Sequence, residues 1–130
     1  MKKINLLLFV FVISCSQPNP CANLEYRNGL TYLDDNLYTG RCSILYEDGS
    51  LSGIQSYVDG LDHGKWKYYY TNGVLETKGQ FDKGTRVGKW KYYHPNKNIK
   101  QISYYNKLGE QVGIWKYYDE KGNLTEQRKN

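Results

Sequence analysis

The chain has 130 residues, 39% of them hydrophobic, with a mean hydropathy of −0.76, which allows one small domain with a modest core. With 14 Tyr, 13 Gly and a single alanine, Ala22, a helical protein is excluded; Tyr suits a pleated surface with one wet side, and Gly marks tight turns. Formal net charge is +5, and removing Lys2 and Lys3 of the leader leaves +3, too low a charge to suggest a nucleic-acid partner.

The chain opens with Met1-Lys2-Lys3, then an apolar run from Ile4 to Ile13 broken only by Asn5. That run is too short to span a bilayer, which needs about 20 helical residues, but it has the plan of a secretory signal peptide. Residues 1–14 are read as that signal. Ser14-Cys15-Ser16 comes next and resembles the lipobox of bacterial lipoproteins, in which the cysteine is lipidated and becomes the mature N-terminus. Ser14 fits the pattern; Val12 and Ile13 depart from it. The resemblance implies lipidation at Cys15, with residues 15–22 as anchor and tether. Ser16-Gln17-Pro18-Asn19-Pro20 has no apolar side chain and is expected to be extended and disordered. The expected location is outside the cytoplasm, on an outer membrane and facing the periplasm. In an oxidising compartment Cys21 and Cys42 could pair; two free thiols are the alternative.

Leu24 to Leu33, with Asn28-Gly29 inside, reads as a hairpin within a capping segment, residues 23–39, that covers the first edge of a repeat array. Asp34-Asp35 sits in a polar run and reads as loop. The array begins at residue 40. Gly64-Lys65-Trp66-Lys67-Tyr68-Tyr69 recurs as Gly88-Lys89-Trp90-Lys91-Tyr92-Tyr93 and as Gly113-Ile114-Trp115-Lys116-Tyr117-Tyr118. The leading glycines are 24 and 25 residues apart, and Gly40 opens a divergent earlier copy with Cys42 in the Trp place. This divides residues 40–130 into about four units: 40–63, 64–87, 88–112 and 113–130. Each continues into a turn pair, Asp48-Gly49, Asn72-Gly73, Asn96-Lys97 or Lys121-Gly122, read as type I′ hairpin turns, with a looser one at Pro95-Asn96-Lys97. Segments such as Lys83 to Val87 are read as links between hairpins.

Period-2 alternation sorts the two faces. With a two-residue turn at Asn72-Gly73, Tyr70 should oppose Leu75, Tyr68 Thr77 and Trp66 Gly79; Trp90 should oppose Ser103. A small residue across from a Trp lets the indole lie over the neighbouring strand. Tyr57, Phe81 and Tyr105 join the Trp face. The other face carries Lys65, Lys67, Tyr69, Lys89, Lys91, Tyr93, Lys116 and Tyr118. Leu124 to Asn130 reads as a polar last strand.

The Gly-x-Trp-x-Tyr-Tyr…Asn-Gly…Leu pattern resembles the MORN repeat in its bacterial variant form, over roughly Tyr38 to Thr125. The resemblance implies an all-β antiparallel hairpin meander forming one elongated, twisted sheet. It also implies membrane association, scaffolding or, from the YwqK-type label of that variant family, antitoxin action. It brings no catalytic residues and no cofactor.

Catalysis finds little support. His63 and His94 are well separated, neither lies in a nucleophile motif, and with two cysteines they show no metal-ligand spacing. The glycines punctuate hairpins and form no phosphate loop. The chain is read as a non-enzymatic, lipid-anchored binding or scaffold protein of the envelope. A neutraliser of a partner toxin is the second reading. The expected partner is another protein or an anionic envelope component, met by the Lys/Tyr face; alternatively those lysines only keep that face wet.

Overall fold

Two kinds of turn build this molecule, and only one of them is the kind that Asn-Gly dipeptides suggest. The computed structural model describes residues 19–130. Its strands are β1 (Asn19–Pro20), β2 (Glu25–Arg27), β3 (Leu30–Leu33), β4 (Asn36–Leu37), β5 (Gly40–Leu45), β6 (Leu51–Val58) and β7 (Leu61–Asp62). They continue as β8 (Gly64–Tyr69), β9 (Leu75–Asp82), β10 (Thr85–Tyr93), β11 (Ile99–Tyr105), β12 (Ile114–Tyr118) and β13 (Leu124–Lys129). A single 3-10 turn covers Cys21–Asn23. The main sheet runs β1-β5-β6-β8-β9-β10-β11-β12-β13, with β7 paired to β6; a separate three-stranded sheet runs β2-β3-β4. Apart from the parallel pair β1–β5, the main sheet is an antiparallel meander and is not closed into a barrel.

Five-residue turns close the β5–β6, β8–β9, β10–β11 and β12–β13 hairpins at one end of the main sheet and the β11–β12 hairpin at the other. Tyr70 N–H donates to the Val74 carbonyl and Gly73 N–H to the Tyr70 carbonyl, both at 2.8 Å. The same pair of bonds closes Tyr46 to Ser50, His94 to Asn98, Asn106 to Glu110 and Asp119 to Asn123. Only the fourth residue is left-handed, so these are type I turns with a bulge, and the expected type I′ assignment is corrected. Local side-chain bonds brace these turns: Asn72 Oδ1 accepts the Val74 N–H at 3.0 Å, and Asn106 and Asp119 Oδ1 accept the N–H groups of Leu108 and Lys121 at 2.9 Å. The bulge also shifts pairing. Tyr69, not Tyr70, opposes Leu75, while Tyr68–Thr77 and Trp66–Gly79 pair as expected.

Nor is the Pro95 turn looser. It closes with the same two bonds, Pro95 sits where a type I turn favours proline, and Lys97 takes the left-handed place at φ 74°. True type I′ geometry lies elsewhere, at Asn28-Gly29, Asp34-Asp35, Asp59-Gly60 and Lys83-Gly84, where both residues of each pair have positive φ. Lys83-Gly84 is thus a tight turn, and Thr85 to Val87 already belong to β10.

The N-terminal end differs most from expectation. Asn19 and Pro20, expected in a disordered tether, pair in parallel with Cys42 and Ser43. β1 therefore covers the first edge, and the capping hairpin becomes the separate three-stranded sheet. That sheet docks on the Asp59-Gly60 turn: Thr31 N–H donates to the Gly60 carbonyl (2.9 Å) and Gly60 N–H to the Tyr38 carbonyl (2.8 Å). Cys21 and Cys42 form a disulfide, with Cα atoms 4.9 Å apart and Cys42 fully buried. The far edge, β13, is exposed throughout.

Candidate functional site

The two faces of the main sheet do different work, and period-2 alternation assigns most side chains to them. On one face a file of rings crosses the sheet. It runs Tyr38, Tyr57, Trp66, Phe81, Trp90, Tyr105, Trp115, with successive centroids 4.6 to 6.4 Å apart. Trp66, Trp90 and Trp115 are all buried. Such ring pairs contribute about 0.5–1.5 kcal/mol each beyond the area they bury, so this file is the core of a sheet with no second layer over most of it.

The close approach that admits Trp90 is Gly79. A methyl built there would lie 2.1 Å from the indole. The indole seated on Gly79 is thus Trp90, from the following repeat, while the residue paired to Gly79 on β8 is Trp66. Trp66 and Trp115 donate their indole N–H to the Ser56 and Tyr104 carbonyls, at 3.0 and 3.3 Å. Trp90 Nε1 is buried and has no hydrogen-bond partner among the described residues. Arg86 lies on this face, its guanidinium 4.3 Å above the Trp90 ring.

Beside the rings runs a hydrogen-bonded row. Tyr57 Oη donates to Gln55 Oε1 (2.7 Å), and Gln55 Nε2 donates to Tyr68 Oη (2.8 Å). Burial, reinforced by nearby Asp62, pushes the Tyr57 phenol up to about 12. Burial also raises Tyr68, Tyr92 and Asp62. Tyr117 lies under the guanidinium of Arg128.

The opposite face is cationic. Lys67 is paired to Lys78, and Lys78 to Lys91, so three lysines stand in register on three adjacent strands. Strands lie about 4.8 Å apart, and like charges directly opposite destabilise a sheet by a few tenths to about 1 kcal/mol a pair. Lys65, Lys67, Lys78, Lys89 and Lys91 line one hollow of about 310 Å³, together with Gln80. A neighbouring hollow of about 360 Å³ is lined by Arg41, Ile54, Ser56, Lys65 and Lys67. Among the described residues the ion pairs join Arg27 to Glu25 and Asp35, His63 to Asp82 and Arg128 to Glu126; none uses these six cations.

The structure thus gathers four of the anticipated surface residues, Lys65, Lys67, Lys89 and Lys91, and adds Lys78 and Arg41. Lys78 escaped notice because it lies outside the Gly-x-Trp motif; the Trp66–Gly79 register would have found it. Lys116 stands apart, with Ile102 between it and Lys91. Tyr93 lies under Lys78 (5.8 Å), and the Tyr69 and Tyr118 carbonyls receive bonds from neighbouring repeats. Those bonds form a ladder at the turn ends: Tyr46 Oη to Tyr69 (2.6 Å), Tyr70 Oη to Tyr93 (2.8 Å), His94 Nε2 to Tyr118 (2.9 Å).

The repeat-marking glycines Gly64, Gly88 and Gly113 all have left-handed φ, 70 to 81°; Gly64 and Gly113 stand at the entry to a Trp strand, and Gly88 lies within β10 where its register with β9 shifts. There they precede Trp66 and Tyr68, Trp90 and Tyr92, Trp115 and Tyr117, and a side chain would strain the backbone. Among the described residues no group of three His, Cys, Asp or Glu is placed to hold a metal ion. Cys15 lies outside the described residues.

Three stretches, residues 62–83, 86–107 and 111–129, match the family described as MORN repeat variant. Each matched unit begins two residues before a leading glycine, just after the Asp59-Gly60, Lys83-Gly84 or Asn106–Glu110 turn. The hairpin β5–β6 repeats their pairing without a match of its own. No curated protein matches the chain.

Proposed function

We propose that this chain, which carries three MORN repeat variants, is a non-enzymatic binding or scaffold protein held at the bacterial envelope by a lipid on Cys15. MORN repeats are in general binding and scaffold modules, which supports the coarse reading. The observation that carries the finer one is the Cys21–Cys42 disulfide. Such bonds persist in oxidising compartments, and this one comes closely after a segment with the plan of an export signal. It ties the chain to the sheet six residues after Cys15. On this reading the anchor is short and the sheet stands close to the membrane, with its cationic face free to meet a partner.

The test is fractionation of cells expressing the native chain and Cys15→Ser, fed with labelled fatty acid. Labelled, membrane-bound native protein and an unlabelled, released variant are the expected results. If both remain soluble and unlabelled in the cytoplasm, the anchor reading falls, and neutralisation of a cytoplasmic toxin becomes the better account.

A further inference from the structure

The lysine hollow resists explanation as mere solubility. Charges that keep a surface wet are interspersed in sign and spread out. Here five lysine side chains line about 310 Å³ on the central strands β8, β9 and β10, and none of them is in an ion pair among the described residues; Lys78 Nζ lies 5.8 Å from the Tyr93 ring centroid and Lys89 Nζ 5.5 Å from that of Tyr104. Three stand in direct register, an arrangement that weakens the free protein. Glu76, two residues from Lys78, makes no ion pair with it among the described residues. An occupant bearing several negative charges in a small volume would remove that repulsion.

We propose that this hollow is a site for clustered phosphates: a compact group carrying two or three phosphates within about two strand spacings, roughly 10 Å. Three features select this class. The cations are all lysines, flexible point charges with three donors each, suited to phosphate oxygens at varied angles. Their grid, about 5 Å between strands and about 7 Å along them, matches neighbouring phosphates better than a single carboxylate. Finally, β8, β9 and β10 are paired on both sides, so an acidic peptide could not add as a strand here and would lose the main-chain bonds that usually hold it. Arg41 and the second hollow, which shares Lys65 and Lys67, would extend the site toward β5 for a longer phosphate chain.

This inference rests on the binding reading above and names its ligand class. The test is thermal unfolding and calorimetric titration of the full chain in mild detergent, with sodium tripolyphosphate as probe. Citrate and poly-glutamate at matched charge are controls, and Lys67→Gln/Lys78→Gln/Lys91→Gln is the variant. Tripolyphosphate should raise the melting temperature of the native chain by several degrees, and the controls by much less. The variant should melt higher than the native chain without ligand, since the repulsion is gone, and should bind at least tenfold more weakly. Equal shifts with citrate, or an unchanged affinity in the variant, would overturn the assignment to phosphates at this hollow. Binding of poly-glutamate alone would overturn it while leaving a binding face in place. No binding of any probe would overturn the phosphate site, while the anchored binding reading would still stand or fall on the fractionation.

Discussion

Replacing Gly79 by alanine adds one methyl at the place where the sheet has least room. Gly79 is extended and its φ is unexceptional, so the backbone accepts alanine and gains about 0.5–1 kcal/mol from reduced chain entropy. The methyl, however, would stand 2.1, 2.2 and 2.4 Å from three atoms of the Trp90 indole, where ordinary contact begins at 3.4 Å. The indole must retreat by more than an ångström. It is 1% exposed and flanked by Phe81 at 5.2 Å and Tyr105 at 6.4 Å, so it cannot retreat without disturbing the ring file. Overpacking of this kind costs about 1–3 kcal/mol, and more if the Trp packing is lost outright. The expected net effect is a loss of about 2 kcal/mol, or roughly 10 °C in melting temperature for a domain of this size. Urea unfolding of Gly79→Ala, Trp90→Leu and the double variant tests the cause. The cost of the added methyl should largely vanish in the Trp90→Leu background, a coupling of at least about 1 kcal/mol. A neutral Gly79→Ala, or an equal cost in both backgrounds, would refute the seating of Trp90 on Gly79.

Lys97 holds a left-handed φ of 74°, where four equivalent turns have glycine, so Lys97→Gly should stabilise by up to about 1 kcal/mol, seen as a higher urea midpoint. Reducing the Cys21–Cys42 bond, which spans 21 residues, should cost about 3 kcal/mol in a denaturant titration and open residues near β1 to proteolysis. The Tyr57 phenol, raised from 10.0 to about 12 in the folded state, adds a pH dependence. Because the folded value lies above the unfolded one, this contribution is full below pH 10 and is lost as pH climbs toward 12. Denaturant midpoints measured across that window should fall for the native chain and fall less for Tyr57→Phe; parallel curves would count against it.

Most of the fold was legible in the chain because its information is local and repeated. The 24-residue pitch, the glycine before each Trp and the alternation along Gly64 to Tyr69 set which side chains share a face, since a strand has period 2 wherever it runs. That was enough for the antiparallel meander, the ring file at Tyr57, Trp66 and Phe81, and the pairing of Trp66 with Gly79.

What only the tertiary structure decided depends on bulges and on neighbours that are not adjacent in the motif. The Asn72-Gly73 turn is a type I turn with a bulge and not the expected type I′ hairpin, which moves Leu75 from Tyr70 to Tyr69. The parallel pairing of Asn19 and Pro20 with Cys42 and Ser43 involves two segments with no repeat signal between them. The indole on Gly79 comes from the next hairpin, and the five-lysine hollow needs Lys78, a residue of the return strand, to stand between Lys67 and Lys91. Alternation says which way each side chain points. Only the hydrogen-bonded register of three strands at once places like charges side by side, because their spacing is set by the ladder and not by the chain.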